Sequence, residues 1–280
     1  MSTWLITGCS TGLGHALAEA VLDAGHNAVI TARNPDNLTE LAAAHPDTAL
    51  ALPLNVRDHE QVANVAQQAT ERFGTIDVLV NNAGHGYRSA VEEADPAEVQ
   101  ELFETNFFGP VDLIRQILPG MRAQRSGTII NISSIAGRFS NPGSGYYSAS
   151  KAALEGVSWA LQKEAEPLGI RVVIVEPGAF RTDFAGRSLQ QSATPIGDYA
   201  NTAGLRRIEN DHTHGTQPGD PARAAQALIR LAEAANPPLR VLLGSDAIQV
   251  IRAELDQQNA EIDEWEDLSH STDFPDATAS

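Results

Sequence analysis

Short runs of apolar, β-branched residues alternate along this chain with longer segments whose apolar residues recur at helical spacing. Runs such as Val78-Leu79-Val80 contain no polar residue, as expected for strands covered on both faces. Such alternation implies parallel strands joined by right-handed crossovers. The sequence therefore predicts an α/β fold, a single-domain doubly wound parallel sheet with helices on both faces. The predicted strands are Thr3–Thr7, Asn27–Thr31, Ala49–Leu54, Ile76–Asn81, Thr128–Ser133, Ile170–Val175 and Leu239–Leu243, and the predicted helical segments include His15–Leu22, Glu60–Phe73, Val99–Gln124, Gly145–Leu168 and Pro221–Ala235.

The length of 280 residues fits one large α/β domain, which we assign to residues 1–268. Residues 180–218 interrupt the alternation, because they are rich in turn-forming residues and show no clear strand. A long irregular segment inside a domain often covers a binding site, so this one is predicted to be a substrate-binding loop or lid. The C-terminal residues 253–280 contain nine acidic residues and no Lys or Arg. They predict a partly amphipathic helix that ends in a flexible acidic tail over residues 269–280.

The charge balance excludes some classes of partner. Lys and Arg number 19 against 36 Asp and Glu, a formal net charge of −17. Nucleic acid and anionic membrane surfaces require clustered positive charge, so neither is an expected partner. The single cysteine, Cys9, cannot form an internal disulfide, and no apolar run approaches the roughly 20 residues that cross a bilayer. These features, with no visible signal peptide, predict a cytoplasmic protein.

A glycine-rich segment, Gly8-Cys9-Ser10-Thr11-Gly12-Leu13-Gly14, lies between the first predicted strand and the first predicted helix. Glycines allow a tight turn and a close approach of the backbone to a pyrophosphate, and the amides of the helix N-terminus favour its negative charge. This position predicts a dinucleotide-binding turn. The candidate contacts to the cofactor are Gly8, Ser10, Thr11, Gly12, Leu13 and Gly14.

The end of the second strand indicates which dinucleotide is bound. An acidic residue at this position accepts the adenosine ribose hydroxyls, whereas an arginine can pair with a 2′-phosphate. The chain has Thr31-Ala32-Arg33-Asn34 here, so NADP(H) is favoured through Arg33, with NAD(H) as the alternative cofactor. Further candidate contacts follow the third and fourth strands, on the edge where such sheets bind ligands. They are Asn55, Val56, Asn82, Ala83 and Gly84.

Tyr147 and Lys151 are four residues apart in a predicted helix and therefore share one helix face. A nearby ammonium favours a phenolate, so we expect Lys151 to lower the pKa of Tyr147 toward the range of a useful general acid or base. Tyr146 is five residues from Lys151, which turns it away from that face. The pair predicts proton transfer, although Tyr-x-x-x-Lys alone is a weak pattern.

Several ordered motifs together resemble the classical short-chain dehydrogenase/reductase family, whose fold is Rossmann-type. They are Thr7-Gly8-x3-Gly12-x-Gly14, Asn81-Asn82-Ala83-Gly84, Asn106, Ser133-Ser134, Tyr147-x3-Lys151 and Pro177-Gly178. The resemblance implies that Tyr147 is the general acid or base, that Ser134 orients the substrate, and that Lys151 binds the nicotinamide ribose. It further implies that Asn106 holds a water that relays protons to Lys151. Pro177, Gly178 and Thr182 would line the nicotinamide.

The implied activity is NAD(P)(H)-dependent interconversion of a ketone or aldehyde and an alcohol. The expected partner is a small carbonyl or alcohol substrate of medium size and hydrophobic character, with no catalytic metal. The apolar lining is predicted from Phe180, Phe184, Leu189, Tyr199 and Leu205. By analogy with family members, the helices over residues 99–124 and 145–168 would assemble a homodimer or homotetramer. The alternative function is a nucleotide-binding sensor or scaffold that keeps the fold without turnover.

Overall fold

The computed structural model describes residues 1–186, 188–213 and 215–274 of the chain. Within them, nine strands and nine α-helices follow one another in the alternating order that the sequence predicts. The strands are β1 Thr3–Ile6, β2 Asn27–Ala32, β3 Ala49–Pro53, β4 Val78–Asn81, β5 Gly86–Arg88, β6 Gly127–Ile132, β7 Ile170–Pro177, β8 Leu189–Gln191 and β9 Arg240–Leu243. The helices are α1 Gly12–Asp23, α2 Thr39–Ala44, α3 His59–Phe73, α4 Pro96–Phe103, α5 Gly109–Gln124, α6 Gly145–Ala165, α7 Ala203–Thr213, α8 Pro221–Glu233 and α9 Ser245–His270.

Seven strands form one parallel sheet in the order β3-β2-β1-β4-β6-β7-β9. These seven correspond to the seven strands predicted from the sequence. The chain leaves β1 toward one edge and returns at β4 toward the other, so the strand order reverses between β1 and β4. Sheets of this kind bind ligands at that reversal, beyond the carboxyl ends of the strands. The doubly wound, Rossmann-type fold is therefore confirmed.

Two apolar layers cover the sheet, one on each face. Along β1, Trp4 and Ile6 belong to one layer while Leu5 belongs to the other, because successive side chains of a strand point to opposite faces. The first layer also contains the buried face of α1 and α8, and the second contains the buried faces of α3 and α5. Burial on both faces explains why the strand sequences are almost entirely apolar.

The predicted helix over residues 99–124 is two helices rather than one. α4 begins at Pro96, capped by Asp95, and passes into α5 through a π-helical turn, Glu104–Phe108. Side-chain caps on aspartate also begin α3 and α8, where Asp58 and Asp220 accept backbone N–H groups. The sequence did not predict the π-helical turn, which contains the buried side chain of Asn106.

Residues 180–218 are more regular than the sequence predicts. They include the strand β8 and the helix α7 among short 3₁₀ turns, and β8 pairs in parallel with β5 in a separate two-stranded sheet. The prediction that this segment contains no strand is wrong. Three-residue strands are too short to produce a periodic pattern, so pairing with a distant partner decides their conformation.

The helix predicted near the C-terminus is α9, and it ends at His270. Most of its second half is exposed, as the acidic composition suggests. The predicted tail over residues 269–280 lies outside the described residues from residue 275 onward. In the part of the chain that the structure describes, no helix combines the length and the apolarity required to cross a bilayer.

Candidate active site

The glycine-rich turn joins β1 to α1 at the reversal of the sheet. Gly8 and Gly12 have φ values of +72° and +63°, a region that favours glycine over other residues. A Cβ atom on Gly14 would overlap the Gly8 carbonyl oxygen and the Asn82 side-chain amide. The N-cap residue Thr11 makes no side-chain hydrogen bond to the first turn of α1. A phosphate could therefore come close to the backbone of the turn and accept hydrogen bonds from the uncapped amides of α1.

Asn82 supports this turn from the neighbouring strand. Its Nδ2 donates to the carbonyl oxygens of Thr7 at 2.8 Å and Gly8 at 3.2 Å. The Thr7 hydroxyl in turn accepts the backbone N–H groups of Asn82 and Ala83 at 3.0 and 2.9 Å. The Asn82 side chain thus holds the glycine-rich backbone in place, whereas the sequence predicted a direct contact between this residue and the cofactor.

Arg33 lies at the end of β2, on the same edge of the sheet as the glycine-rich turn. Its side chain is exposed, and it forms no hydrogen bond or ion pair with any residue that the structure describes. Arg57, which is also near this edge, pairs with Glu101. Arg33 is therefore a cation available to a ligand phosphate.

Asn55 and Val56 follow β3 at this edge. The Asn55 side-chain oxygen accepts the Arg57 backbone N–H at 3.3 Å, so the residue forms a local turn. Val56 is buried, and a Cβ atom on Gly109 would approach its carbonyl oxygen at 2.7 Å. This close packing fixes the start of α5 against the loop after β3.

Tyr147 and Lys151 lie one turn apart on α6, and their exposed fractions are only 7% and 5%. Lys151 Nζ lies 5.9 Å from the centroid of the Tyr147 ring and donates to the Ile132 carbonyl oxygen at 2.9 Å. Tyr146 points elsewhere, because its hydroxyl donates to the Val91 carbonyl oxygen at 3.1 Å. Tyr147 is thus the tyrosine that shares a face with Lys151.

Burial dominates the acid–base properties of this pair. Burial raises the pKa of Tyr147, and the Ser134 hydrogen bond and the Arg88 charge only oppose that increase. Burial also lowers the pKa of Lys151 to about 8, against the opposing charge of Glu155. The expectation of a lowered Tyr147 pKa is therefore wrong for this structure, because the phenolate loses more hydration than nearby charges replace.

Ser133 and Ser134 follow β6 and face opposite sides. Ser134 lies within hydrogen-bonding reach of the Tyr147 phenol, and its Oγ accepts the Ala136 backbone N–H at 3.1 Å. Ser133 Oγ instead donates to Glu155 Oε1 at 2.6 Å. Neighbouring residues of an extended chain point in opposite directions, so only Ser134 can reach the phenol.

Asn106 is fully buried in the π-helical turn between α4 and α5. Its Oδ1 accepts the His85 backbone N–H at 3.0 Å, and its Nδ2 donates to the His85 carbonyl oxygen at 2.9 Å and to Ser150 Oγ at 3.1 Å. A Cβ atom on Gly84 would lie 3.1 Å from Asn106 Oδ1 and 3.4 Å from Lys151 Nζ. The two side chains therefore converge on one backbone position, and π-helical turns often occur at functional sites.

The segment after β7 returns to the glycine-rich turn. Gly178 donates its N–H to the Leu243 carbonyl oxygen at 2.9 Å, which ties this segment to β9. Thr182 begins a 3₁₀ turn, and a Cβ atom on Gly12 would lie 3.2 Å from the Thr182 Cβ. Thr182 thus packs beside the glycine-rich turn. Pro177 and Gly178 lie at the end of β7, the strand that leads to Thr182.

Of the five predicted lining residues, Phe184 lies beside Tyr147 and Leu189 lies beside Phe184. The Phe184 ring centroid is 5.8 Å from that of Tyr147, and a Cβ atom on Gly86 would approach both Phe184 and Leu189. The other three lie elsewhere: Phe180 packs against Gly219, Tyr199 donates its hydroxyl to Glu92 at 2.7 Å, and Leu205 is exposed. The apolar lining is therefore narrower than the sequence suggested.

A buried ion pair joins the 180–218 segment to the loop that follows β5. Arg207 Nη2 donates to Glu93 Oε2 at 2.7 Å and to Ser192 Oγ at 2.5 Å. Glu93 also accepts the backbone N–H groups of Ala90 and Ile196, both at 2.8 Å. We call this set of contacts the lid latch. The Glu93 side chain is only 2% exposed and that of Arg207 is 15% exposed, so the pair is largely shielded from water.

Arg88 follows the fourth predicted strand at the ligand edge and is a candidate substrate contact from the sequence. It is buried on β5, and its charge acts on the Tyr147 phenol. The latch and Glu155 were missed in the sequence. Glu155 lies four residues after Lys151, a spacing that could have identified it. Neither Glu93 nor Arg207 has such a signal, because 114 positions separate them.

Comparison with known proteins agrees with this geometry. The sequence profile described as short chain dehydrogenase matches residues 2–193. Oxidoreductase BOA17 of Botryotinia fuckeliana (strain B05.10) is 36% identical over 267 residues, which cover 95% of this chain and 97% of that protein.

Solved structures show the same likeness. The crystal structure of a short-chain dehydrogenase from Streptomyces avermitilis has a TM-score of 0.91 and 44% identity, covering 98% of this chain and 100% of that one. An alcohol dehydrogenase from Thermococcus sibiricus, complexed with 5-hydroxy-NADP, has a TM-score of 0.72 and 26% identity, covering 87% of this chain and 96% of its own. The fold, the ordered motifs and these matches together show that the chain belongs to the short-chain dehydrogenase/reductase family and is an oxidoreductase.

Proposed function

We propose that this protein is an NADP(H)-preferring oxidoreductase that interconverts a carbonyl group and an alcohol on a medium-sized hydrophobic substrate. One observation carries the proposal: a buried phenol, Tyr147, meets Ser134 and lies one helical turn from the buried amine of Lys151. This arrangement lies at the sheet edge that also holds the glycine-rich turn. The alcohol dehydrogenase relative, which binds an NADP derivative, supports the same assignment.

The residues present fit a nicotinamide dinucleotide. Gly8, Gly12 and Gly14 leave the turn free of side chains where a pyrophosphate would approach, and the first turn of α1 lacks a side-chain cap. Arg33 would hold the 2′-phosphate, and Lys151 would bind the nicotinamide ribose. The remaining candidate contacts are Ser10, Thr11, Leu13, Asn55, Val56, Asn82, Ala83, Gly84, Tyr147, Pro177, Gly178 and Thr182. When bound, the nicotinamide supplies the hydride acceptor or donor.

Tyr147 would transfer the proton at the carbonyl oxygen. Because burial raises the pKa of the phenol, Tyr147 carries its proton at neutral pH, which is the form that donates in carbonyl reduction. Alcohol oxidation needs the phenolate instead, and burial disfavours that form. The Ser134 hydroxyl, within reach of the phenol, would stabilise the negative charge that develops on the substrate oxygen. Asn106 and Lys151 would return the proton to Tyr147 through water.

The substrate would lie between Tyr147 and the 180–218 segment. Phe184 and Leu189 provide apolar surface there, and the lid latch holds that segment against the loop after β5. Apolar walls with a few placed polar groups are typical of small-molecule sites. We further propose a homo-oligomer, since Phe108 at the start of α5 and Trp159 on α6 are about half exposed at 51% and 49%.

The test is to incubate the protein with NADPH or NADH and a panel of aliphatic, aromatic and polycyclic ketones while following the absorbance of the reduced nicotinamide. The expected result is faster oxidation of NADPH than of NADH with at least one hydrophobic ketone. Tight NADPH binding without turnover across the whole panel would instead favour the nucleotide-binding sensor. Binding of neither cofactor would contradict both functions.

A further inference from the structure

A buried charged cluster lies behind the proposed catalytic face of α6. Glu155 is 4% exposed and accepts the Ser133 hydroxyl at 2.6 Å. Arg240 on β9 reaches Glu155 Oε2 and Glu176 Oε1, both at 3.4 Å. Arg138 meets the other oxygen of Glu176 at 3.5 Å. None of these side chains has a role in the proposed reaction.

We propose that Glu155 is a positioning residue for the active site. Through Ser133 it fixes the Ser134 segment against α6, and its carboxylate lies one helical turn from Lys151 and keeps that side chain charged. The effect of Glu155 on catalysis rests on the proposed function, whereas its contacts with Ser133 and its position beside Lys151 do not.

The first step is the contact with the serine segment. Ser133 and Ser134 are adjacent, so a bond that holds Ser133 also restricts where Ser134 can point. The 3₁₀ turn after them, Ile135–Gly137, packs against the same carboxylate, because a Cβ atom on Gly137 would overlap Glu155 Oε1. Glu155 therefore holds both sides of Ser134 in place.

The second step is the effect on Lys151. The two side chains share a face of α6 and are both buried, so their interaction is weakly screened by solvent. Burial lowers the pKa of Lys151, and the Glu155 carboxylate is the charge that opposes it. The other polar groups facing Lys151 are the Ile132 carbonyl oxygen, the Tyr147 phenol, the Asn106 side chain and His85, whose pKa is itself lowered by burial. Glu155 is thus the only anion that acts on Lys151 among the described residues.

Two arginines balance the negative charge around Glu155. Arg240 supplies a counter-charge from β9, and its guanidinium also stacks 4.6 Å from the Trp159 ring centroid on α6. Glu176 on β7 competes for Arg240, and Arg138 offsets that competition. The cluster therefore links β7, β9 and α6 around one carboxylate.

The chain allows a direct test, because Lys151 and Lys163 are its only lysines. In protein labelled with ¹³C at the lysine ε-carbon, the two signals can be titrated separately, with exposed Lys163 as an internal reference. We expect Lys151 to titrate near pH 8 and its midpoint to fall by about one pH unit in Glu155→Gln. Glu164→Gln, at an exposed position of the same helix, should leave the Lys151 midpoint unchanged. An unmoved Lys151 midpoint in folded Glu155→Gln would overturn the electrostatic part of the proposal.

Ser133→Ala separates positioning from charge, because it removes the hydrogen bond and keeps the carboxylate. We expect kcat to fall by about 10-fold with an unchanged KM for NADPH and an unchanged Lys151 midpoint. An unaltered kcat would overturn the positioning part. If the protein turns over no ketone, the lysine titration still decides the contact between Glu155 and Lys151, so failure of the proposed function is distinguishable.

Discussion

The two sides of the candidate site are held by different kinds of contact. On the cofactor side, residues close in sequence or on adjacent strands fix the glycine-rich turn: glycine φ values, a close approach at Gly14, and the Asn82 side chain. On the lid side, the pairing of β5 with β8 and the Glu93–Arg207 ion pair hold the 180–218 segment. Its partners in these contacts lie about a hundred residues earlier in the chain. The cofactor side is therefore fixed by backbone geometry, whereas the lid side depends on a few long-range polar contacts. We expect the lid to open more easily than the glycine-rich turn deforms.

The largest expected effect is on the lid. Glu93→Ala leaves the largely shielded Arg207 guanidinium without its carboxylate, and breaking a buried pair typically costs about 3–5 kcal/mol, which is an upper bound here because Arg207 is 15% exposed. We expect faster hydrogen exchange and faster proteolysis at residues 189–207, with NADPH affinity changed by no more than about 2-fold. Glu92→Ala is the matched control, since the neighbouring Glu92 contacts the same segment through a single exposed hydrogen bond, from the Tyr199 hydroxyl, whose loss costs little. If hydrogen exchange at residues 189–207 is as slow in Glu93→Ala as in Glu92→Ala, the Glu93–Arg207 pair does not hold the lid, and the proposed difference between the two sides is wrong.

A glycine substitution tests the opposite side. Gly14→Ala places a methyl group against the Gly8 carbonyl oxygen, so the turn must move, and we expect NADPH affinity to fall by about 100-fold. Calorimetry measures the affinity, and hydrogen exchange should show an intact lid. The control is Gly120→Ala on α5, where a Cβ atom meets nothing within 4 Å and cofactor affinity should be unchanged. A loosened lid in Gly14→Ala would mean that the two sides are one cooperative unit.

A smaller effect is expected from Arg33, which we propose contacts the 2′-phosphate of NADPH. Arg33→Ala should weaken NADPH by about 10-fold, the value of a charge-assisted hydrogen bond, and leave NADH within about 2-fold. Arg57→Ala is a suitable control, because Arg57 already pairs with Glu101. Equal losses for NADPH and NADH in Arg33→Ala would show that Arg33 does not contact the 2′-phosphate.

The parts of the fold that the sequence predicted are those with local patterns. The seven strands of the main sheet have continuous apolar runs, and the proximity of Tyr147 to Lys151 follows from their spacing on one helix. The choice of Ser134 over Ser133 agrees with the alternation of an extended chain. In each case a spacing of one to four residues carries the information.

The parts that the sequence did not predict depend on distant contacts. β5 and β8 are three residues each and are stabilised by pairing with one another, and the Glu93–Arg207 pair has no local pattern. The raised pKa of Tyr147 could not be predicted for the same reason, because its main cause is burial by elements from several parts of the chain. Spacing shows which charges lie near the phenol, but it does not show how much water the fold removes.

We propose that Tyr147 transfers the proton while other residues supply most of the binding energy for the cofactor. The most direct test is Tyr147→Phe, measured for kcat with an accepted ketone and for NADPH affinity by calorimetry. We expect kcat to fall by about 1,000-fold, because general acid catalysis is lost, while NADPH affinity changes by no more than about 2-fold. Retention of more than about a tenth of the wild-type kcat would show that Tyr147 is not the proton donor.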